Sequence, residues 1–153
     1  MIRIARSEDI DESREIHSLA FEGDPWVGDD HEYWFAYDGT TPVGWASAIY
    51  WPSISTVFLS RAAVAKCATG KGLHRRLIQA RIRWAQKCGA THVITYTAPY
   101  NYESFINLLK CGFRFSDYRF RLGGRRWHVL LKSSPPLAAP AQRKLLRAAA
   151  KLM

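Results

Sequence analysis

The chain has 153 residues, 48% of them hydrophobic and 13% aromatic, with a net charge of +9. That length suits one domain with a real core, and the apolar content excludes a disordered chain. The charge is uneven: residues 1–38 carry eleven acids and three bases, a net of −8, whereas residues 39–153 carry nineteen Lys or Arg against Glu103 and Asp117, a net of +17. An acidic macromolecular partner would account for the excess, and a solvated basic face is the plainer alternative. Met1-Ile2-Arg3-Ile4 is no signal peptide and no apolar run reaches 18 residues, so the expectation is a cytoplasmic protein without membrane insertion. Cys67, Cys88 and Cys111 show no C-x-x-C spacing and read as reduced thiols; the five histidines lack metal-ligand spacing, so no metal is expected.

In chain order, Ile2–Ala5 alternates and predicts a short strand. Ser7 predicts the cap of a helix over about residues 8–21, with Glu8, Asp9, Asp11 and Glu12 in its first turn, where the helix dipole favours anions. Gly23-Asp24-Pro25 ends it, and a polar loop around Trp26 follows. Tyr33–Tyr37 and Val43–Trp51 alternate on either side of Asp38-Gly39-Thr40-Thr41, a hairpin signal. Thr56–Ala65 is the next strand. Residues 71–88 predict a helix with Leu73, Leu77, Ala80, Trp84 and Cys88 on its buried stripe and Gly89 at its C-terminal cap. His92–Thr97 predicts a strand, and Asn101–Lys110 a short helix with Tyr102, Phe105, Ile106 and Leu109 at core spacing. Phe113–Leu122 and Arg125–Lys132 predict a second hairpin around Gly123-Gly124. Beyond the Ser133-Ser134-Pro135-Pro136 linker, Ala141–Met153 predicts an amphipathic helix with Leu145, Ala148, Ala149 and Leu152 on one face. Arg143, Arg147 and Lys151 form an i, i+4 row on it, suited to nucleic acid, a membrane surface, a partner, a homodimer contact or docking on its own domain.

The strongest chemical signal is Val57–Arg76, where a strand feeds Thr69-Gly70-Lys71-Gly72 and a basic helix begins at once. A helix N-terminus has N–H groups without intrahelical partners and a positive dipole end, and glycine lets an anion approach the backbone. A phosphate-bearing ligand is therefore expected. Two common phosphate motifs fail. Ala65 occupies the first glycine of a P-loop, and Gly72 the position of its Ser or Thr. Arg75 replaces the third glycine of a dinucleotide fingerprint, and no Asp or Glu lies between Gly39 and Tyr102 to hold a ribose.

Thr69-Gly70-Lys71-Gly72-Leu73-His74 resembles the [RQ]-x-x-G-x-[GA] pyrophosphate loop of the GNAT N-acetyltransferases, with Thr69 and His74 as departures. Leu59–Val64 is similar to that family's fourth strand, and Asn101-Tyr102-Glu103-Ser104 with Cys111-Gly112-Phe113 to its N-x-x-A...G-F helix. The resemblance covers roughly residues 1–132. It implies an α/β (α+β) fold with a central mixed, mostly antiparallel twisted sheet of about seven strands flanked by helices. Residues 1–132 would form the acetyltransferase domain and 133–153 a linker and basic helical tail.

It further implies acetyl-CoA as cosubstrate, with the pantetheine along Ala62, Ala63 and Val64. The phosphates would lie on Thr69, Gly70, Lys71, Gly72, Leu73, His74 and Arg75, with Asn101 and Phe105 touching the cofactor. The Val64 amide would support an oxyanion. Where the family often places a tyrosine acid this chain has Leu108, and where histone-type members place a glutamate base it has Phe58. Ser104 and Glu32 are the side chains left for proton handling, with Asp30 and His128 as further bases. The implied activity is N-acetyl transfer to an amine, on an acidic protein, a nucleic acid such as charged tRNA, or a small molecule whose site Asp24, Asp29, Asp30 and Glu32 would line. A GNAT-like coenzyme A-binding protein with reduced catalysis, holding nucleic acid or protein, is the reading from a different class.

Overall fold

A computed structural model describes residues 1–122 and 125–153, with the backbone alone at Phe120, Leu122 and Arg125. The elements are β1 (Ile2–Ser7), α1 (Ile10–Ala20), β2 (Glu32–Asp38), β3 (Thr41–Trp51), β4 (Thr56–Val64), α2 (Leu73–Lys87), β5 (His92–Thr97), α3 (Tyr102–Lys110), β6 (Arg114–Leu122), β7 (Arg125–Ser133) and α4 (Ala139–Ala150). The seven strands form one sheet in the order β1-β2-β3-β4-β5-β7-β6. The β1–β2, β2–β3, β5–β7 and β6–β7 pairs are antiparallel, and β4 runs parallel to β5. The expected mixed, mostly antiparallel sheet is the one that forms. The Gly123-Gly124 turn lies outside the described residues.

Helix starts differ from the sequence reading for identifiable reasons. Strand β1 continues to Ser7, so α1 is capped by Asp9, whose Oδ1 accepts the N–H groups of Asp11 (2.9 Å) and Glu12 (3.2 Å). Ser7 instead donates its hydroxyl to the Asp9 carbonyl. Helix α2 begins at Leu73, because Gly72 has φ +70° and lies outside helical space.

The chain divides into two compact units, Met1–Ile49 with Leu59–Trp84, and Tyr50–Phe58 with Ala85–Met153. The first is built on aromatic rings. Phe35 and Trp45, both 0% exposed, face each other across β2 and β3. Tyr33 stacks on Trp26 with centroids 4.2 Å apart, so the indole expected to anchor the polar loop packs flat on the core. Helix α2 buries Leu73, Leu77 and Ile78, and among them Arg81 at 3% exposure. Its guanidinium donates to the carbonyls of Leu77 (3.2 Å), Ser47 (3.1 Å) and Arg61 (3.4 Å). A side chain thus saturates backbone acceptors of β3 and β4, next to a Ser47–Ser60 hydroxyl bond of 2.7 Å. Gly44 completes this packing: a Cβ there would lie 3.4 Å from the Ala63 carbonyl and from Leu73 Cδ2.

In the second unit Phe58 is stacked between Trp51 (5.4 Å) and Tyr96 (5.7 Å). Leu146 and Ala149 of α4 are both 0% exposed, and Arg143 pairs with Asp117 at 3.0 Å, so this helix packs within its own unit while Leu152 stays exposed. On α3 the apolar stripe departs from expectation. Tyr102 and Ile106 are 65% and 45% exposed, and the buried residue is Leu108 at 4%. The apolar face instead forms a chain of edge-on rings, Tyr102–Phe105 and Phe105–Phe115, on which Tyr102 is outermost.

Replacing Arg81 by Met keeps the aliphatic stem but leaves the Ser47 and Arg61 carbonyls without this donor. Unfolding in urea is expected to show a loss of about 1–3 kcal/mol. An unchanged midpoint would mean that those carbonyls find other donors.

Candidate functional site

Strand β4 carries Ala62, Ala63 and Val64, all half-buried, into the loop. The Ala65 N–H donates to the Val43 carbonyl at 2.8 Å, tying the end of β4 to β3. One 3-10 turn over Lys66–Ala68 follows, closed by the Thr69 hydroxyl on the Lys66 carbonyl at 2.8 Å. Thr69 therefore occupies the family's Arg or Gln position with a hydroxyl that stabilises the turn from within. Gly70 and Gly72 have φ +77° and +70°, a region that L side chains rarely adopt. A Cβ on either would meet nothing within 4 Å, so the turn is both glycine-requiring and open on its outer face.

Helix α2 then starts without an acidic residue in its first turn, and Gly72 has no side chain with which to cap it. An anion there complements the helix dipole and the first-turn amides. Lys71 is exposed beside it, whereas Arg75 is half-buried, with its Nε enclosed and without a hydrogen-bond partner among the described residues. His74 is neutral, because burial, helped by the nearby Arg81 charge, pushes its imidazole down to about 4. It therefore adds no positive charge to the loop.

The remaining expected residues fall as follows. Asn101 caps α3, its Oδ1 accepting the Ser104 N–H at 3.2 Å. Ser104 and Phe105 are half-buried on the first turns of that helix. Leu108 and Phe58 are buried in hydrocarbon and carry no titratable group. Glu32 begins β2, 3.1 Å from the Arg6 guanidinium.

The four acids expected to line a cationic pocket are each engaged. Asp24 accepts the Trp45 indole N–H at 3.1 Å and lies 3.8 Å from Arg61. Asp29 accepts from Trp26 and from Arg14, contacts that hold its carboxyl below the ordinary value. Asp30 bonds His31 at 2.9 Å, and Glu32 has Arg6. Tyr33 is pushed up to about 12, chiefly by burial, and clamps the loop through the Gly28 carbonyl (2.8 Å) and N–H (3.2 Å) rather than serving as an acid.

Sequence reasoning missed Arg81 and Gly44. The signal for Arg81 was present: it is the one charged residue among Leu77, Ile78, Ala80 and Ile82. Among the described residues no His, Cys, Asp or Glu cluster suits a metal, and no helix is long and apolar enough to cross a membrane. Cys67 is exposed, and Cys88 and Cys111 are half-buried; all three are free thiols.

With this geometry in place, comparison with known proteins is direct. The chain belongs to the GNAT acetyltransferases, since the acetyltransferase (GNAT) family model matches residues 2–113. No curated protein matches it. Among solved structures it is similar to a Bacillus subtilis acetyltransferase in complex with CoA, at 22% identity and a TM-score of 0.68 over 87% of this chain and 99% of that one. An Escherichia coli ribosomal-protein-S18-alanine N-acetyltransferase aligns at 17% identity and a TM-score of 0.63, covering 86% and 91%. An Elizabethkingia anophelis GNAT family acetyltransferase with acetyl-CoA bound aligns at 16% and 0.63, covering 86% and 97%.

The neutral His74 makes stability depend on acid. Its folded value of about 4 lies below the ordinary 6.5, so the unfolded chain takes up the proton first. The stability contributed by the neutral form is complete above about pH 6.5 and is lost as pH falls toward 4, with a loss on the order of 3 kcal/mol. Denaturant unfolding across that range is expected to show the decline, and His74→Gln to flatten it. His17 and His92, also lowered mainly by burial, account for the slope that remains.

Proposed function

We propose that this protein is an acetyl-CoA-dependent N-acetyltransferase whose acceptor amine belongs to an acidic macromolecule. The observation that carries the first half is the open, left-handed Gly70–Gly72 turn at an uncapped, acid-free helix start. In this reading Thr69, Gly70, Lys71, Gly72, Leu73, His74 and Arg75 hold the cofactor phosphates. Lys71 contributes a point charge, and Arg75 contributes the guanidinium whose Nε lacks a partner among the described residues. Ala62, Ala63 and Val64 offer small side chains and strand backbone to the pantetheine, and Asn101, the cap of α3, and Phe105, within it, are the further residues that the family resemblance assigns to the cofactor. The bound structures of the Bacillus subtilis and Elizabethkingia anophelis proteins support the same ligand.

Acetyl-CoA supplies a thioester acyl group to be attacked by an amine. The Val64 amide would hold the oxyanion, and the Ser104 hydroxyl would donate near the departing sulfur. Glu32 is the carboxylate of this scheme, engaged by Arg6 and reaching an amine only through water. With Leu108 and Phe58 buried and apolar, positioning of the reactants carries much of the rate.

The acceptor class rests on charge. The second unit holds twelve Lys or Arg against Glu103 and Asp117, a net of +10, while the first holds ten against eleven acids, a net of −1. Lys144, Arg147 and Lys151 are exposed on α4, the outer face of a helix whose inner face is buried. A small cationic acceptor would need free carboxylates, and Asp24, Asp29, Asp30 and Glu32 already have partners.

Gly72→Asp puts a side chain and a negative charge where the pyrophosphate is proposed to lie, and calorimetry is expected to show at least tenfold weaker coenzyme A binding, about 1.4 kcal/mol. Unchanged affinity in a folded variant would remove the cofactor assignment. Intact coenzyme A binding without acyl turnover on any amine would make the protein a GNAT-like binding protein.

Replacing Arg143, Lys144, Arg147 and Lys151 by Gln together is expected to weaken binding to tRNA, duplex DNA or acidic peptides, most strongly at low salt, with coenzyme A affinity retained. Mobility shifts at two salt concentrations check this. If wild-type protein binds none of these at low salt, the macromolecular-acceptor reading fails and a small-molecule acceptor is favoured.

A further inference from the structure

Thr97 and His128 face each other directly across the antiparallel β5–β7 pair. Opposed residues on such a pair share a face of the sheet, with Cβ atoms about 4.5–5.5 Å apart. Thr97 is 5% exposed. Thr97 Oγ1 and His128 Nδ1 are both buried, and neither has a hydrogen-bond partner among the described residues. Two orphaned polar atoms on adjacent, opposed side chains are unusual, since buried polar groups are nearly always bonded. One bond between them would satisfy both. His128 as a whole is half-buried, so part of its side chain is accessible.

The surroundings tie this pair to the proposed chemistry. His128 packs edge-on against Phe115 at 5.6 Å, and Phe115 against Phe105 at 5.6 Å. Phe105 is the α3 ring assigned to the cofactor, and Ser104 is its neighbour. The amine must lose a proton, and the positions where related enzymes carry a tyrosine or glutamate hold Leu108 and Phe58 here. Glu32 is engaged by Arg6, and a serine hydroxyl is a poor base.

We propose that His128 Nε2 is the proton acceptor for the attacking amine, and that Thr97 is the positioning residue that holds it in the required tautomer. Nδ1–H donates to Thr97 Oγ1, which leaves the Nε2 lone pair free, because the bond made by one ring nitrogen decides the state of the other. As the amine nitrogen bonds to the thioester carbonyl carbon, its proton passes to Nε2. The carbon–sulfur bond breaks, and the same proton leaves with the thiolate, so amide and free thiol form with no net proton change and no further reactant. This assignment rests on the acetyltransferase reading for the reaction, but the Thr97–His128 bond does not.

The test therefore has two arms. Nitrogen-15 imidazole spectra of the full chain are expected to show His128 as the Nδ1–H tautomer. Thr97→Val should shift it toward Nε2–H, and Thr97→Ser should preserve it. An Nε2–H tautomer in the wild type, or no response to Thr97→Val, overturns the pair whether or not any acceptor has been found. In acyl-transfer assays with a turned-over amine, His128→Gln is expected to lower kcat at least tenfold, with KM for acetyl-CoA and thermal stability little changed. Added imidazole should partly restore His128→Gly. A folded His128→Gln variant with wild-type kcat overturns the catalytic role. Absence of turnover by the wild-type protein with every amine fails the acetyltransferase reading, and His128's catalytic role with it, while the spectra still decide the tautomer.

Discussion

The turn from β4 into α2 is possible only because two residues separated by one position both take a left-handed backbone. At Gly70 and Gly72, with φ of +77° and +70°, the backbone takes a conformation that L side chains rarely adopt, so a substitution is strained even though the space around it is open. Because the chain reverses here, α2 lies with Leu73 against Gly44 and Arg76 donating to the Ile2 carbonyl at 2.9 Å. One turn and a half further on, Arg81 reaches the carbonyls of Ser47 and Arg61. The same two glycines also leave the helix start without a capping side chain. A residue pair that solves a chain-reversal problem thereby also leaves open the helix start at which the proposed phosphate binding would occur.

How much of this was legible depends on whether the signal was local. Gly39 sits at φ +61° between β2 and β3, as the Asp-Gly hairpin signal requires, and β5 has the bounds that its alternation predicts. The glycine loop was legible because its conformation is set by residue type at two positions. Helix α3 was less so, because apolar residues occur on more than one of its faces. Tyr102, Phe105, Ile106 and Leu109 have core spacing, yet burial falls on Leu108, and part of the predicted stripe is an exposed ring surface. Spacing reports that a face is apolar, not what covers it. Arg81 was missed for the converse reason: an arginine in a helix reads as solvated unless its acceptors, which lie 20 and 34 residues away in sequence, are known.

The charge pattern changes meaning on folding. Along the chain it reads as an acidic segment followed by a basic bulk, −8 against +17. In space, Arg61, Lys66, Lys71, Arg75, Arg76, Arg81 and Arg83 join the N-terminal acids in the first unit and nearly cancel them. The uncompensated charge is left in the second unit, whose α4 buries Leu146 and Ala149 while exposing Lys144, Arg147 and Lys151. A sequence-level asymmetry would have assigned the loop bases and the tail bases to one surface. The first group shares its unit with eleven acids, and Arg61 lies 3.8 Å from Asp24; in the second unit Arg143 pairs with Asp117, and the net charge of +10 gives a long-range field.

Buried polar atoms sort the structure further. Where they are structural, they come in closed sets: Arg81 with its three carbonyls, Ser47 with Ser60, and Tyr33 with Gly28. Those without partners among the described residues are His17 Nε2, Arg75 Nε, Thr97 Oγ1 and His128 Nδ1. His17 lies between the rings of Trp26 and Trp45, and burial lowers its basicity, so a neutral imidazole packed as an aromatic accounts for it. Arg75 stands at the glycine loop, where an anionic ligand would supply the acceptor. Thr97 and His128 are opposed across β5 and β7, and the proposed bond between them would fix which imidazole nitrogen is free. In the roles proposed for them, the Arg75 orphan and the Thr97–His128 pair are both the kind of local deficit that a folded chain retains when binding or proton transfer needs it.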